Sequence, residues 1–167
     1  MYSGENSRPP PDRRTADPGR KPSRVHATNS KLLKKDTFGQ VRLEYRGSVP
    51  VIIRDLAPAR WWARGLARRL LAREARALAI LDGEAGVPTL LDARRDTLVR
   101  AFIDGAAMHD ARPQDPDYFR QAGKLLRRLH RLRVVHNDLA KEANWLVTSD
   151  GRPAVVDFQL AWCPPRR

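Results

Sequence analysis

Apolar positions along this chain change their period several times, and each change predicts an element. Residues 1 to about 29 hold almost nothing apolar and are rich in Pro, Arg, Ser and Asp, which predicts a disordered, mildly basic tail. From Lys31 the pattern changes. Val41, Leu43 and Tyr45 alternate with polar residues, Arg46-Gly47-Ser48 supplies a turn, and 49–53 forms a second apolar run, together a β-hairpin. A long helix is expected over roughly 58–81, with Pro58 in its first turn and Gly83 just past its end. Its apolar stripe reads as Trp62, Leu66, Leu70, Ala77 and Leu81, with Arg60, Arg64, Arg68, Arg69, Arg73 and Arg76 mostly on other faces. Two further strands are expected over 87–91 and 97–103, after which Asp104-Gly105 turns the chain out of the sheet. Asp115-Pro116 opens another helix, to about His130, buried through Phe119, Ala122, Leu125, Leu126 and Leu129. Short strands over 145–147 and 154–156 flank the turn Ser149-Asp150-Gly151.

This order, hairpin, helix, strands, helix, loop, hairpin, predicts an α+β fold of two lobes. A small β-sheet lobe carrying one helix occupies 30–105, and a minimal lobe with the chemistry at its junction occupies 106–167. The 167 residues leave room for one domain of ordinary size.

Charge and cysteine content narrow the function. A net charge of +13, from 32 Lys and Arg against 19 Asp and Glu, calls for an anionic partner: nucleotide phosphate, nucleic acid or an acidic membrane surface. No aromatic-basic pattern of a recognised nucleic-acid module appears, so no specific nucleic acid is expected. Cys163 is the sole cysteine, which excludes a disulfide framework and a cysteine metal site. No apolar run approaches the roughly 20 residues of a membrane-spanning helix, and the N-terminus lacks the apolar core of a secretory signal. The expected location is the cytoplasm, with the inner-membrane periphery as an alternative.

The candidate chemistry lies near the C-terminus. Val134-Val135-His136-Asn137-Asp138-Leu139-Ala140-Lys141-Glu142-Ala143-Asn144-Trp145-Leu146-Val147 is followed by Val155-Val156-Asp157-Phe158-Gln159, with Asp157 ten residues after Val147. Phosphoryl transfer needs one carboxylate to accept the attacking hydroxyl's proton, and an Asn and a second carboxylate to hold magnesium against nucleotide phosphates. Asp138 suits the first role, Asn144 and Asp157 the second. A carboxylate at the end of an apolar strand, such as Asp157, is expensive to bury without a cation. His136 is expected to orient the loop, and Lys141 to touch the transferred phosphoryl.

The run resembles the catalytic loop and Asp-Phe-Gly element of protein kinases. Its wording is similar to small bacterial RIO-like and lipopolysaccharide-kinase-like proteins, atypical serine/threonine kinases, over about residues 31–162. The resemblance implies ATP and Mg2+ as ligands and a hydroxyl acceptor on a protein or a sugar. It implies that Phe38, Gly39 and Val41 end a glycine-rich loop over the phosphates, with Lys34 and Asp36 where two glycines would be. It also implies that Arg54 stands in for the phosphate-binding Lys, although Arg and Lys are not equivalent. Glu74, beside the apolar stripe of the long helix, calls for a cation, either Arg54 on the preceding strand or Arg73 or another neighbour on its own helix. Asn144 lies six residues after Asp138 where the family has five, which implies a one-residue bulge. Gln159 replaces the family's Gly and should restrict any flip of that segment.

Only ten residues follow Asp157, so a truncated second lobe is expected, its helix over 117–130 partly covered by Phe158, Leu160 and Trp162. The uncovered apolar face is expected to drive self-association or docking to a partner or membrane. Two other readings stay open. Arg54, the missing glycines and the short C-terminus favour a nucleotide-binding pseudokinase. Trp61-Trp62 among arginines favours a basic protein that lies on an anionic membrane.

Overall fold

Alternation produces the hairpin it predicts. In a computed structural model that describes residues 30–164, β2 (Gly39–Arg46) and β3 (Val49–Asp55) pair antiparallel, with Val41 opposite Arg54 and Leu43 opposite Ile52. The tail expected over 1–29 lies outside the described residues. β1 (Ser30–Asp36), β4 (Leu90–Ala93) and β5 (Thr97–Ala101) complete an antiparallel five-stranded sheet in the order β1-β2-β3-β5-β4. Directly opposed residues share a face of an antiparallel pair. Val51, Ile53 and Val99 therefore cluster on one face, while Arg54 and Arg100 emerge on the other, beside the helix.

That helix, α1 (Arg64–Ile80), corrects two expectations. It starts at Arg64 rather than near Pro58, because 57–63 are spent in turns: Ala57 N–H donates to the Asp55 side chain, and Ala63 N–H to the Arg60 carbonyl. Its buried stripe is Ala63, Ala67, Leu71, Glu74, Ala77, Leu78 and Leu81, while Trp62 and Leu66 are exposed and Leu70 only half-buried. The expected phase is one residue off. Alanines at 63 and 67 let the helix approach its neighbours closely, and the bulkier residues are left outside.

The strand expected over 87–91 is displaced to Leu90–Ala93, with Val87 and Pro88 buried ahead of it. The strand expected over 97–103 ends at Ala101. The chain leaves the five-stranded sheet before Gly105, as expected, and Gly105 starts β6 (Gly105–Ala107) of a second sheet, which pairs with β7 (Trp145–Thr148), itself paired with β8 (Pro153–Val155). Between β6 and β7 come α2 (Met108–Ala111) and α3 (Pro116–Arg131). α3 opens where Asp115 caps it, its carboxylate accepting from Asp117 N–H at 2.8 Å, with proline at the first helical position. Its buried face is Tyr118, Leu125 and Leu129. Phe119 is exposed, and Ala122 and Leu126 are half-buried, against the expected face. Tyr118 enters because its hydroxyl finds the Leu146 carbonyl at 3.2 Å.

One core joins both sheets: Leu71, Leu78 and Leu81 of the α1 region pack with Leu125 and Leu129 of α3 and with Phe158. Of Phe158, Leu160 and Trp162, only Phe158 is buried. Among the described residues no helix is long and apolar enough to cross a membrane.

Candidate active site

The loop after α3 is held from both sides before it reaches Asp138. Val135 exchanges backbone hydrogen bonds with Trp162, and the Asn137 amide donates to the Leu160 carbonyl at 3.2 Å. Asn137 adopts a left-handed conformation (φ 63°), which Asn tolerates better than most residues. Asp138 follows with its carboxylate fixed twice, by Lys141 Nζ at 2.7 Å and by Asn144 Nδ2 at 3.0 Å. Asn144 Nδ2 also reaches the Asp138 carbonyl at 2.8 Å. The extra residue between Asp138 and Asn144 is taken up by a single tight helical turn, Glu142–Asn144, so the longer interval still brings the two side chains together. The Lys141 ammonium holds the Asp138 carboxyl below the usual carboxylate range, with the Asn144 amide assisting against partial burial. Lys141 is in turn pushed up by Asp138, and it also feels the charge of Asp157.

Asp157 ends the other arm. Val156 N–H donates to the Asn144 carbonyl at 3.0 Å, which ties the segment leading into Asp157 to the loop carrying Asp138. Asp157 itself is left-handed (φ 65°, ψ 66°), a strained setting for a non-glycine residue and one found most often at functional sites. Its Oδ1 accepts from Gln159 Nε2 at 2.6 Å and faces Arg54 Nη2 at 3.4 Å. Oδ2 has no partner among the described residues.

His136 is buried, with Nε2 at 3.0 Å from the Val156 carbonyl and its ring tilted on Phe158, centroids 4.6 Å apart. Burial pushes its pKa down, opposed by that hydrogen bond and by the charges of Asp157 and Asp138. A carbonyl can only accept, so in the neutral ring Nε2 carries the proton and Nδ1, buried without a partner, stays bare. His136 is thus a strut that fixes the Val156–Asp157 step from inside the fold.

The β-sheet half of the site is built from ion pairs. Glu74 is fully buried, with Oε2 at 3.2 Å from Arg54 Nε and Oε1 at 3.4 Å from Arg100 Nε. Neither oxygen receives a well-directed hydrogen bond, so the carboxylate is held mainly by charge. Arg54 forks between Glu74 and Asp157 and so links α1 to the end of β8. Burial pulls the Arg100 guanidinium's pKa down, and Glu74 opposes that shift.

Gly39 sits in a backbone conformation (φ 133°) closed to other residues, and a Cβ there would run into the Asp55 carbonyl oxygen. The β1–β2 turn is thereby pressed onto the end of β3. Phe38 packs partly into the main core, and the space bounded by Lys34, Asp36, Phe38, Gly39, Gln40, Val41 and Arg54 is only about 10 Å³. An open cavity of about 620 Å³ lies elsewhere, between the 84–87 loop, α3 and the β7–β8 turn, and none of these site residues line it.

A magnesium ion asks for hard oxygen donors, keeps several waters, and takes the rest of its ligands from substrate phosphates. The free Asp157 Oδ2 and the Asn144 amide oxygen, whose nitrogen is spent on Asp138, supply such a set. No group of three or more His, Cys, Asp or Glu among the described residues could hold a metal alone. The donors present fit a magnesium nucleotide and not an independent metal centre.

Sequence reasoning missed Arg100, gave Gln159 only a restricting role and did not single out Asn137. An Arg in a strand reads locally as outward-facing, and nothing within a few residues of Arg100 shows that Glu74 lies opposite. For Asn137 the signal was available: Asn just before a functional Asp marks a left-handed step.

Comparison with known proteins adds a family. The model of the RIO domain matches residues 54–161. A "Probable serine/threonine-protein kinase BUD32 homolog" of Archaeoglobus fulgidus is 32% identical over 117 residues, 67% of this chain and 58% of that protein. A "Probable bifunctional tRNA threonylcarbamoyladenosine biosynthesis protein" of Methanoculleus marisnigri is 34% identical over 115 residues, 66% of this chain and 21% of that protein. The chain spans less than two thirds of the length of either relative. The matched region runs from Arg54, through Glu74 and Asp138, to Asp157 and the segment that clamps it, and on that ground the chain belongs to the RIO domain family.

Proposed function

We propose that the chain is an atypical kinase that transfers the γ-phosphoryl of Mg-ATP to a hydroxyl, on a Ser/Thr side chain or a sugar, in the cytoplasm where that nucleotide is supplied. The observation that carries this reading is the pairing of Asp138 with both Lys141 and Asn144, tied by the Val156–Asn144 hydrogen bond to a second carboxylate at Asp157. The nucleotide would lie between the lobes at 30–105 and 106–167, under the turn carrying Phe38, Gly39 and Val41.

In this reading the acceptor oxygen attacks the γ-phosphorus, the bond to the β–γ bridging oxygen breaks, and the hydroxyl proton passes to Asp138. A carboxylate held below its usual range is a weak base, so its main work is to orient the hydroxyl and take the proton late, which suits a loose phosphoryl-transfer transition state. Lys141, paired with Asp138 and within the field of Asp157, is placed to meet charge on the moving phosphoryl. Arg54 keeps one terminal nitrogen clear of its two carboxylate contacts for the phosphates. Asn144 and Asp157 would hold magnesium, which neutralises phosphate charge.

One observation favours a second reading, a pseudokinase that binds nucleotide with little turnover. Arg54 is engaged by both Glu74 and Asp157, and the space above it is closed. Calorimetric titration with ATP, with and without magnesium, followed by an ATP turnover assay, separates the two. Magnesium-dependent binding with turnover that Asp138→Asn abolishes is expected. Binding with no turnover selects the second reading, and no binding sinks both.

A further inference from the structure

The outward face of α1 has no role in the site. Leu66, Arg69, Arg73 and Arg76 recur at intervals of three and four residues, which puts them on one line along the helix, and Trp62 stands in the turn just before it. All are exposed, Trp62 by 60% and Leu66 by 51%, and the neighbouring Trp61 by 84%. Contiguous exposed apolar side chains rimmed by polar ones mark interaction surfaces, and here two indoles and Leu66 adjoin a run of arginines. The only carboxylate between residues 56 and 81 is Glu74, which is buried and already paired with two arginines. Arg69 and Arg73 have no carboxylate partner among the described residues, whereas Arg68 is tied to Asp96 and Arg76 reaches the Pro164 carbonyl. A shallow depression of about 310 Å³ is lined by Arg69, Ala72, Arg73 and Arg76.

We infer that this face of α1 docks on a bilayer containing anionic phospholipid, independently of the reading given to the catalytic loop. The arrangement divides the helix by depth. Trp61, Trp62 and Leu66 at the N-terminal end enter the boundary between headgroups and acyl chains, where an indole has an apolar body and a polar edge to satisfy. Arg69, Arg73 and Arg76 lie over lipid phosphates, with the depression between them sized for a headgroup. A straight line of contacts meets a flat surface along its whole length. A single-stranded nucleic acid offers the same phosphates and could stack on the two indoles, so the test has to separate these sources.

The full chain is mixed with vesicles of phosphatidylcholine alone, and with vesicles of phosphatidylcholine and phosphatidylglycerol, and floated on a density gradient. Flotation with the anionic vesicles only is expected. Each arginine near an anionic surface is worth about fivefold in partitioning, so the double variant Arg69→Ala, Arg73→Ala should bind about thirtyfold more weakly. Trp61→Ala with Trp62→Ala should leave binding that high salt abolishes, while the unaltered chain keeps a salt-resistant part. These side chains are exposed, so an unchanged melting temperature confirms that the variants fold. Absence of flotation, equal flotation with neutral vesicles, or a double variant that floats normally would overturn the proposal. So would tight binding of a fluorescent single-stranded RNA that the vesicles fail to displace.

Discussion

The loop after α3 holds Asp138 with an exposed lysine and a buried amide, whereas the corner between β3 and α1 holds Glu74 with two largely buried arginines. Exposed ion pairs contribute little and break at little cost. In the proposed reading Lys141 would be fixed well enough to be placed and loosely enough to turn toward the phosphoryl. A buried carboxylate between two cations behaves differently, because removing one member strands the others without water. The first arrangement suits a working group, the second a frame. Arg54 belongs to both, since it reaches from Glu74 to Asp157.

The sharpest way to break this contrast is at Asp138. Asp138→Asn keeps the shape of the loop and removes the proposed proton acceptor, so turnover should fall by about a hundredfold to ten-thousandfold with little change in melting temperature. A variant that melts early instead would make Asp138 part of the frame. Glu74→Ala should do the reverse first, losing about 3–5 kcal/mol of stability in urea unfolding because Arg100 loses its carboxylate partner and Arg54 keeps only Asp157. If it folds as well as the parent chain, the arginines have another way to reach water.

Acid titration tests the frame from inside. The folded pKa of His136 lies below its ordinary value of about 6.5, so the unfolded chain takes the proton first. Its contribution to stability is complete above that ordinary value and is lost as the pH falls toward the lowered one. Unfolding free energy should decline through the mildly acidic range, and His136→Gln should flatten that slope. Lys141→Ala sharpens the other side. Asp138 should titrate closer to the ordinary carboxylate range, moving the acid limb of kcat/KM to higher pH. The smallest effect belongs to Gln159→Gly. Loss of one hydrogen bond to Asp157 should cost about 0.5–1.5 kcal/mol, and the proposed magnesium-dependent nucleotide binding should weaken before stability does.

The hairpin, α3 with its Asp115-Pro116 start, and the convergence of Asp138 with Asn144 were legible because each rests on neighbours in sequence. β1 was not, since all its residues are exposed and no alternation marks it. The phase of α1 was lost because a hydropathy reading favours Trp62 and Leu66 over Ala63 and Ala67, while packing favours the small residues. The bond between Arg100 and Glu74 joins positions that only the folded sheet and helix bring together. Gln159 was visible as a departure from glycine, but its grip on Asp157 depends on the left-handed step before it.

β1 is an edge of its sheet, and an edge is an invitation to any passing strand. It carries Lys31, Lys34 and Lys35 and breaks its register between Leu32 and Lys34. Charge and a bulge are the two devices that keep one sheet from growing onto another. The strand that covers the outside of the hairpin is thus also what limits fibrous aggregation at that border, a colloidal safeguard in a protein whose neighbouring residues Leu32 and Leu33 face solvent.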